Sequence, residues 1–302
     1  MSYAPIREKL KRGETVILDG AIGTEILRRN VTWADHQLVN KPEFVRGIHE
    51  DYIRAGAEVI STNSFQLCRR ALYNHFRDEK HRRHIGASDL DDRANKLLAA
   101  SVKLAVEARE RMGAAGKVAV AAAVTTLEWC FRPDLAPGPK QAQGEYREIF
   151  QVVKDAGADL VLLETVNSIS EAKVAMEVAK GVGLPCWIAF VPDKGGKLFT
   201  GETLVQAVAA LEPLGVDAIL LNCAPPNDIT TGMSALAPHA KVPIGTYAHI
   251  GRFDPPEWLF TDEYPPAKYQ QESAHWKQMG ARILGGCCGT TPDHIAALSA
   301  LR

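Results

Sequence analysis

Apolar residues fall in short, nearly unbroken runs along the chain, and polar stretches separate them at regular distances. The runs lie at residues 16–19, 59–64, 118–124, 160–166, 187–191, 218–223, 242–247 and 282–285. Each is only a few residues long and rich in Val, Ile, Leu and Ala. None shows the alternation of a strand with one wet face. Such runs predict strands buried on both faces of a parallel sheet.

The intervals between them carry a helical period. In 42–57, Phe44, Val45, Ile48, Tyr52 and Ile53 recur at three- and four-residue steps behind Pro42, a first-turn proline. Helices are predicted in the same way over 88–111, 144–156, 168–182, 203–214, 228–237, 267–279 and 292–301. Ser88 and Ser168 are candidate N-caps, and Gly183 lies just past a helix end. The phrases AGAEVI (55–60), AGADLV (156–161) and LGVDAI (214–219) reuse one helix-to-strand turn. Eight strand–helix units in 302 residues predict an α/β fold, a single (β/α)8 TIM barrel with residues 1–302 as one domain. A doubly wound sheet would use the same element order. Two longer loops, 125–143 and 248–266, would follow strands at the C-terminal face, where barrels build their sites.

Composition narrows the function classes. With 46% hydrophobic and 24% charged residues, the chain can bury a core without staples. A net charge of −1 offers no basic surplus for nucleic acid. Mean hydropathy of −0.12 and the lack of any apolar run of membrane length argue against a membrane span. The opening MSYAPIREKLKRGE has no apolar leader segment, so a cytoplasmic location is expected. The sequence leaves a homo-oligomer open.

Six cysteines are too few for a disulfide framework, and their placement matters more than their number. Cys68, Cys130 and Cys186 are scattered singles, whereas Cys223 ends the sixth run and Cys287 and Cys288 follow the eighth. On a barrel those two strand ends share one face, so the three thiols can converge. Three thiolates suit Zn2+ and leave a coordination position open. Gly285, Gly286 and Gly289 give the backbone the freedom that adjacent ligands require. The plainer alternative is three buried apolar thiols. No HxH or HExxH spacing competes, no GxGxxG follows the first run, and His81 and His84 sit in a charged stretch that reads as solvated surface.

The segments ILDGAIGTE (17–25), STNSF (61–65), LLETV (162–166), LNCAPP (221–226) and GGCCGT (285–290) occur in that order. Together they resemble the homocysteine S-methyltransferase family, from about residue 13 to the end. The resemblance implies a zinc-bearing barrel that methylates homocysteine to methionine. Cys223, Cys287 and Cys288 would be the metal ligands and act in catalysis through zinc. A free thiol has a pKa of about 8.5, and only the thiolate attacks well. Zinc holds a coordinating thiol deprotonated.

The same resemblance implies that Asp19 and Glu164 receive the substrate amine and that main-chain N–H groups around Gly20 and Ala21 receive its carboxylate. Asp19 alone reads equally as a turn residue. An acid at 164, following an apolar strand, must be paired or functional. Thr62, Asn63 and Asn222, at strand ends, would line the site. Trp33, nine residues before Pro42, matches a donor-cage tryptophan of the betaine-dependent members, and a tryptophan face attracts an onium group. Gln66 and Thr165 stand where those members carry tyrosines. A sulfonium donor of the S-methylmethionine type is therefore expected. A betaine-type donor, a corrinoid protein partner and a non-catalytic zinc- or thiol-binding barrel are the alternatives. Trp129, Phe131 and Arg132 in the 125–143 loop are further candidates for shaping a donor pocket.

Overall fold

The computed structural model describes residues 2–31, 37–75, 90–254 and 257–302. The chain opens with α1 (Tyr3–Lys11), β1 (Val16–Ile17), α2 (Gly23–Arg28), α3 (Pro42–Ala55), β2 (Val59–Ser61) and α4 (Arg69–His75). It continues through α5 (Leu90–Arg111), β3 (Ala119–Thr125), α6 (Pro139–Asp155), β4 (Leu160–Val166), α7 (Ile169–Val182), β5 (Cys186–Phe190) and α8 (Leu204–Leu211). The last third holds β6 (Ala218–Asn222), α9 (Pro226–Leu236), β7 (Ile244–Tyr247), β8 (Arg252–Asp254), β9 (Glu257–Leu259), α10 (Pro266–Gln278), β10 (Ile283–Leu284) and α11 (Pro292–Ser299).

Eight strands pair in the order β1-β10-β7-β6-β5-β4-β3-β2, every neighbour parallel. A parallel bridge between Leu18 and Val59, with the Asp19 N–H donating to the Val59 carbonyl at 3.0 Å, joins β1 to β2 and closes the ring. The sheet is thus the (β/α)8 TIM barrel and not the doubly wound alternative.

Strand pleating divides the apolar runs between two cores. Ile17, Ile60, Val120, Val161, Ile188, Ile219 and Leu284 face the surrounding helices. Val16, Val59, Ala119, Leu160, Trp187, Ala218 and Ile283 fill the barrel interior. Both faces are dry, which is why the sequence shows continuous runs instead of alternation. The sequence expectation did not include α1, which precedes the first strand, although its apolar residues fall at three- and four-residue steps. Its Tyr3, Ile6 and Leu10 join the interior cluster and plug the N-terminal end. There the Trp187 indole N–H donates to Tyr3 Oη at 2.9 Å, and the two rings meet edge to face.

Local chemistry explains several boundaries. Ser168 caps α7 by accepting from the Glu171 N–H, and Gly183 closes that helix at φ +80°. α6 begins at Pro139, earlier than the expected 144, because a proline fits the first turn and Gly144 is tolerated inside the helix. β2 and β6 end before the predicted 64 and 223, since the residues beyond turn off the sheet into the barrel mouth. The 248–266 loop contains the antiparallel β8–β9 hairpin, another element outside the sequence expectation. Among the described residues, no helix is long and apolar enough to cross a membrane.

Candidate functional site

Following the pleat of each strand towards its C-terminal end leads from the core into a cavity. On β4 the inward series 160, 162 continues to Glu164. On β6 the series 218, 220 continues to Asn222, and on β2 and β7 the inward positions are Ser61 and Tyr247. The cavity is about 340 Å³, with Asp19, Gly20, Ala21, Thr62, Asn63, Glu164, Cys223, Cys287 and Cys288 among its lining residues. The expected site residues therefore meet at one mouth, with two qualifications. Asn222 does not line the cavity but sits behind it, fully buried. Trp33 lies outside the described residues.

The three sulfurs lie within 4.8 Å of one another. Two irregular backbones bring them there. Cys223 turns off β6 with φ +52°, and its N–H donates to the Tyr247 carbonyl at 3.4 Å. The Cys287 N–H donates to the Ala248 carbonyl at 2.9 Å, the Cys288 carbonyl accepts from Ile250, and Gly289 follows at φ +87°. Only glycine takes that last conformation without strain. The three thiols share their protons. S–H donors from Cys223 and Cys287 hold Cys288 well below an ordinary thiol, and the neighbouring negative charge pushes the other two up. Three thiol sulfurs this close together form a soft, sulfur-rich donor set that could hold a thiophilic metal ion. Cys68 and Cys186 are buried away from the cluster, whereas Cys130 is buried near Glu164 and Cys288 without lining the cavity; burial raises all three thiols, which disfavours their thiolates.

Two carboxylates face the same cavity. Ser61 donates to Asp19 twice, from its N–H to Oδ2 at 2.7 Å and from its hydroxyl to Oδ1 at 2.9 Å. Burial nevertheless lifts the Asp19 carboxyl well above its ordinary range, and the Glu164 charge adds to this. Glu164 is pushed up to about 7 by burial and by Cys288, opposed by the Tyr247 hydroxyl, which donates to Oε2 at 3.3 Å. Among the described residues neither acid has an ion-pair partner, and two such acids fit a ligand that carries a cation.

The remaining candidates do structural work as well. Thr62 Oγ1 accepts from the Ala123 N–H at 2.9 Å and pairs with Ser64 Oγ, tying β2 to β3. The Ala21 N–H already donates to Thr290 Oγ1 at 3.3 Å, and the Ala21 carbonyl accepts from Tyr52 Oη. Trp129, Phe131 and Phe199 form an exposed edge-to-face chain outside the cavity, and Arg132 pairs with Asp134. Sequence reasoning missed Ser61, Tyr247 and Trp258. Strand alternation carries the first two, since they fall on inward positions. A second cleft of about 790 Å³, at the opposite end of the barrel, includes Lys277, Arg282 and Arg302. Their charges are already spent on main-chain carbonyls.

Comparisons with known proteins identify the family. Residues 16–301 match the family model for homocysteine S-methyltransferase. The homocysteine S-methyltransferase of Escherichia coli (strain K12) is 30% identical, with 98% of each chain covered. Homocysteine S-methyltransferase 1 of Arabidopsis thaliana is 28% identical over 96% of this chain and 94% of that protein. The crystal structure of the E. coli homocysteine methyltransferase MmuM, in its metallated form, superposes with a TM-score of 0.80 over 100% of both chains at 28% identity. The chain belongs to the homocysteine S-methyltransferase family, and is a methyltransferase with homocysteine and a methyl donor as its substrates.

Proposed function

We propose that this enzyme makes methionine by moving a methyl group from a sulfonium donor of the S-methylmethionine type to homocysteine, with Zn2+ held by Cys223, Cys287 and Cys288. The observation that carries the reading is the convergence of three thiol sulfurs within 4.8 Å on a cavity that also holds two carboxylates, the buried Asp19 and the half-buried Glu164. Zinc bound by these sulfurs would supply a deprotonated, electron-rich acceptor thiol at neutral pH.

The protein's own groups do the rest. Asp19 and Glu164 take the homocysteine ammonium, whose charge relieves the burial that raises both carboxyls. Ser61 and Tyr247 hold those carboxylates in place through their hydrogen bonds. The loop at Gly20 and Ala21 receives the substrate carboxylate, with the Ala21 N–H passing from Thr290 Oγ1 to the ligand. Leu18, Ala123 and Leu162 present an apolar wall to the methylene chain and exclude water. Held at both ends, the sulfur is fixed for attack on the methyl carbon. Three free thiols suit a reducing, cytoplasmic setting.

A donor panel tests the proposal. Purified, zinc-loaded enzyme is given homocysteine with S-methylmethionine, betaine or methylcobalamin, and methionine is measured. Fastest turnover with S-methylmethionine is the expected result. Turnover with methylcobalamin alone would place the protein with corrinoid-linked enzymes and overturn the sulfonium assignment.

A further inference from the structure

The β8–β9 hairpin brings a large aromatic side chain to the cavity. Its strands pair Phe253 with Trp258 in the loop that leaves β7, and Trp258 lines the same cavity as the three cysteines. Several contacts fix the indole. The His249 ring meets it edge to face, with centroids 5.7 Å apart. Gly251, at φ +89°, packs behind it: a Cβ there would come within 2.8 Å of Nε1 and 2.6 Å of the Leu259 carbonyl. Phe260, just past β9, carries the Arg28 guanidinium 4.2 Å over its ring, and Arg28 donates to the Gly289 carbonyl at 3.0 Å. The hairpin is thereby tied to α2 and to the loop of the cysteine pair. Among the described residues the buried Trp258 N–H has no hydrogen-bond partner. A buried indole normally finds an acceptor, so no hydrogen bond accounts for its placement.

The apolar lining of the cavity is not confined to the strand-borne Leu18, Ala123 and Leu162. Asp19, Glu164 and the thiols come from strand ends, whereas Leu27 of α2, Phe65 after β2 and Trp258 come from segments beyond them and are apolar or aromatic. Methyl transfer from a sulfonium joins the homocysteine sulfur lone pair to the methyl carbon. The donor's S–CH3 bond breaks, and its electron pair stays on a neutral departing sulfide. A positive and a negative charge disappear together. A carboxylate against the sulfonium would therefore stabilise the ground state more than the transition state. An aromatic face attracts the cation without an ion pair.

We infer that Trp258 is the seat of the donor's onium group, with Leu27 and Phe65 keeping water from it. This rests on the sulfonium-dependent reaction proposed above. The test is steady-state kinetics of wild type, Trp258→Phe and Trp258→Leu with homocysteine and S-methylmethionine, alongside zinc content and thermal melts. Trp258→Leu should lower kcat/KM for S-methylmethionine about 2- to 30-fold, as expected for loss of a cation–π contact. Homocysteine KM and zinc content should stay within about twofold, and Trp258→Phe, which keeps a ring, should fall between. Unchanged donor kinetics in a folded Trp258→Leu enzyme, or an equal rise in both KM values, overturns the assignment alone. Wild-type enzyme that accepts no onium donor overturns it together with the proposed reaction.

Discussion

Asn222 and Thr165 exchange two hydrogen bonds across 57 residues of sequence. Asn222 Oδ1 accepts from the Thr165 N–H at 3.1 Å, and Asn222 Nδ2 donates to Thr165 Oγ1 at 3.2 Å. Thr165 has φ +59°, and the strand pairing slips between Leu163 and Val166. A β-branched residue in this region is strained by about 1–3 kcal/mol and persists only where its surroundings fix it. Asn222 supplies that fixation from β6, so one side chain sets the turn beside Glu164 and sits next to Cys223.

Asn222→Ala is expected to lose about 1–3 kcal/mol of stability, because it leaves the buried Thr165 N–H unpaired. Its homocysteine KM should rise as Glu164 shifts. Thr165→Gly in the same chain removes the strain at positive φ and should recover part of the lost stability. Urea unfolding of the single and double variants checks this. Additive losses would show that the two residues are not coupled.

Glu164 makes the empty enzyme sensitive to pH. Its carboxyl is raised from an ordinary 4.5 to about 7 in the fold. Between those values the native chain keeps a proton that the unfolded chain releases, so stability falls as pH rises through that window. Asp19, also raised, adds a slope of the same sign. Glu164→Gln should reduce this loss and melt higher than wild type at about pH 8, with little difference near pH 4. The same variant should bind homocysteine at least about tenfold more weakly, a trade of function for stability. Melting curves across pH, paired with homocysteine KM, read both effects. A Glu164→Gln enzyme no more stable than wild type in alkali would refute the buried-charge argument.

The N-terminal plug should matter for stability and not for chemistry. Tyr3→Phe removes the acceptor of the Trp187 indole and should cost about 1–3 kcal/mol. Tyr3→Ala also empties part of the barrel floor and should cost about 3–5 kcal/mol. Homocysteine KM should be unchanged in both, since the plug closes the end opposite the cysteines. A shifted KM at unchanged fold would show that the two ends communicate.

The parts of this architecture legible in sequence are those written as local patterns. Buried strands appear as apolar runs, α3 as a three- and four-residue period, and the cysteine cluster as a strand-end Cys followed by a Gly-flanked pair. Tyr3, Ile6 and Leu10 of plug helix α1 carry such a period too, but its place under the barrel was not legible, because that depends on Trp187 of β5. Nor was the role of Asn222, whose partner lies two strands away. Ser61 and Tyr247 were legible in principle, since the inward alternation of β2 and β7 reaches them within the runs 59–64 and 242–247. Trp258 depends on a hairpin inside a proline-rich loop, where no hydrophobic period marks the strands.

The proposed reaction needs one zinc ion on Cys223, Cys287 and Cys288 with a place left for the substrate thiol. X-ray absorption at the zinc edge, with metal analysis of the purified protein, tests it directly. One zinc per chain with three sulfur neighbours, rising to four when homocysteine is added, is the predicted result, and Cys287→Ser should strip the metal. Full zinc occupancy in Cys287→Ser, or a sulfur count that homocysteine leaves unchanged, would contradict it.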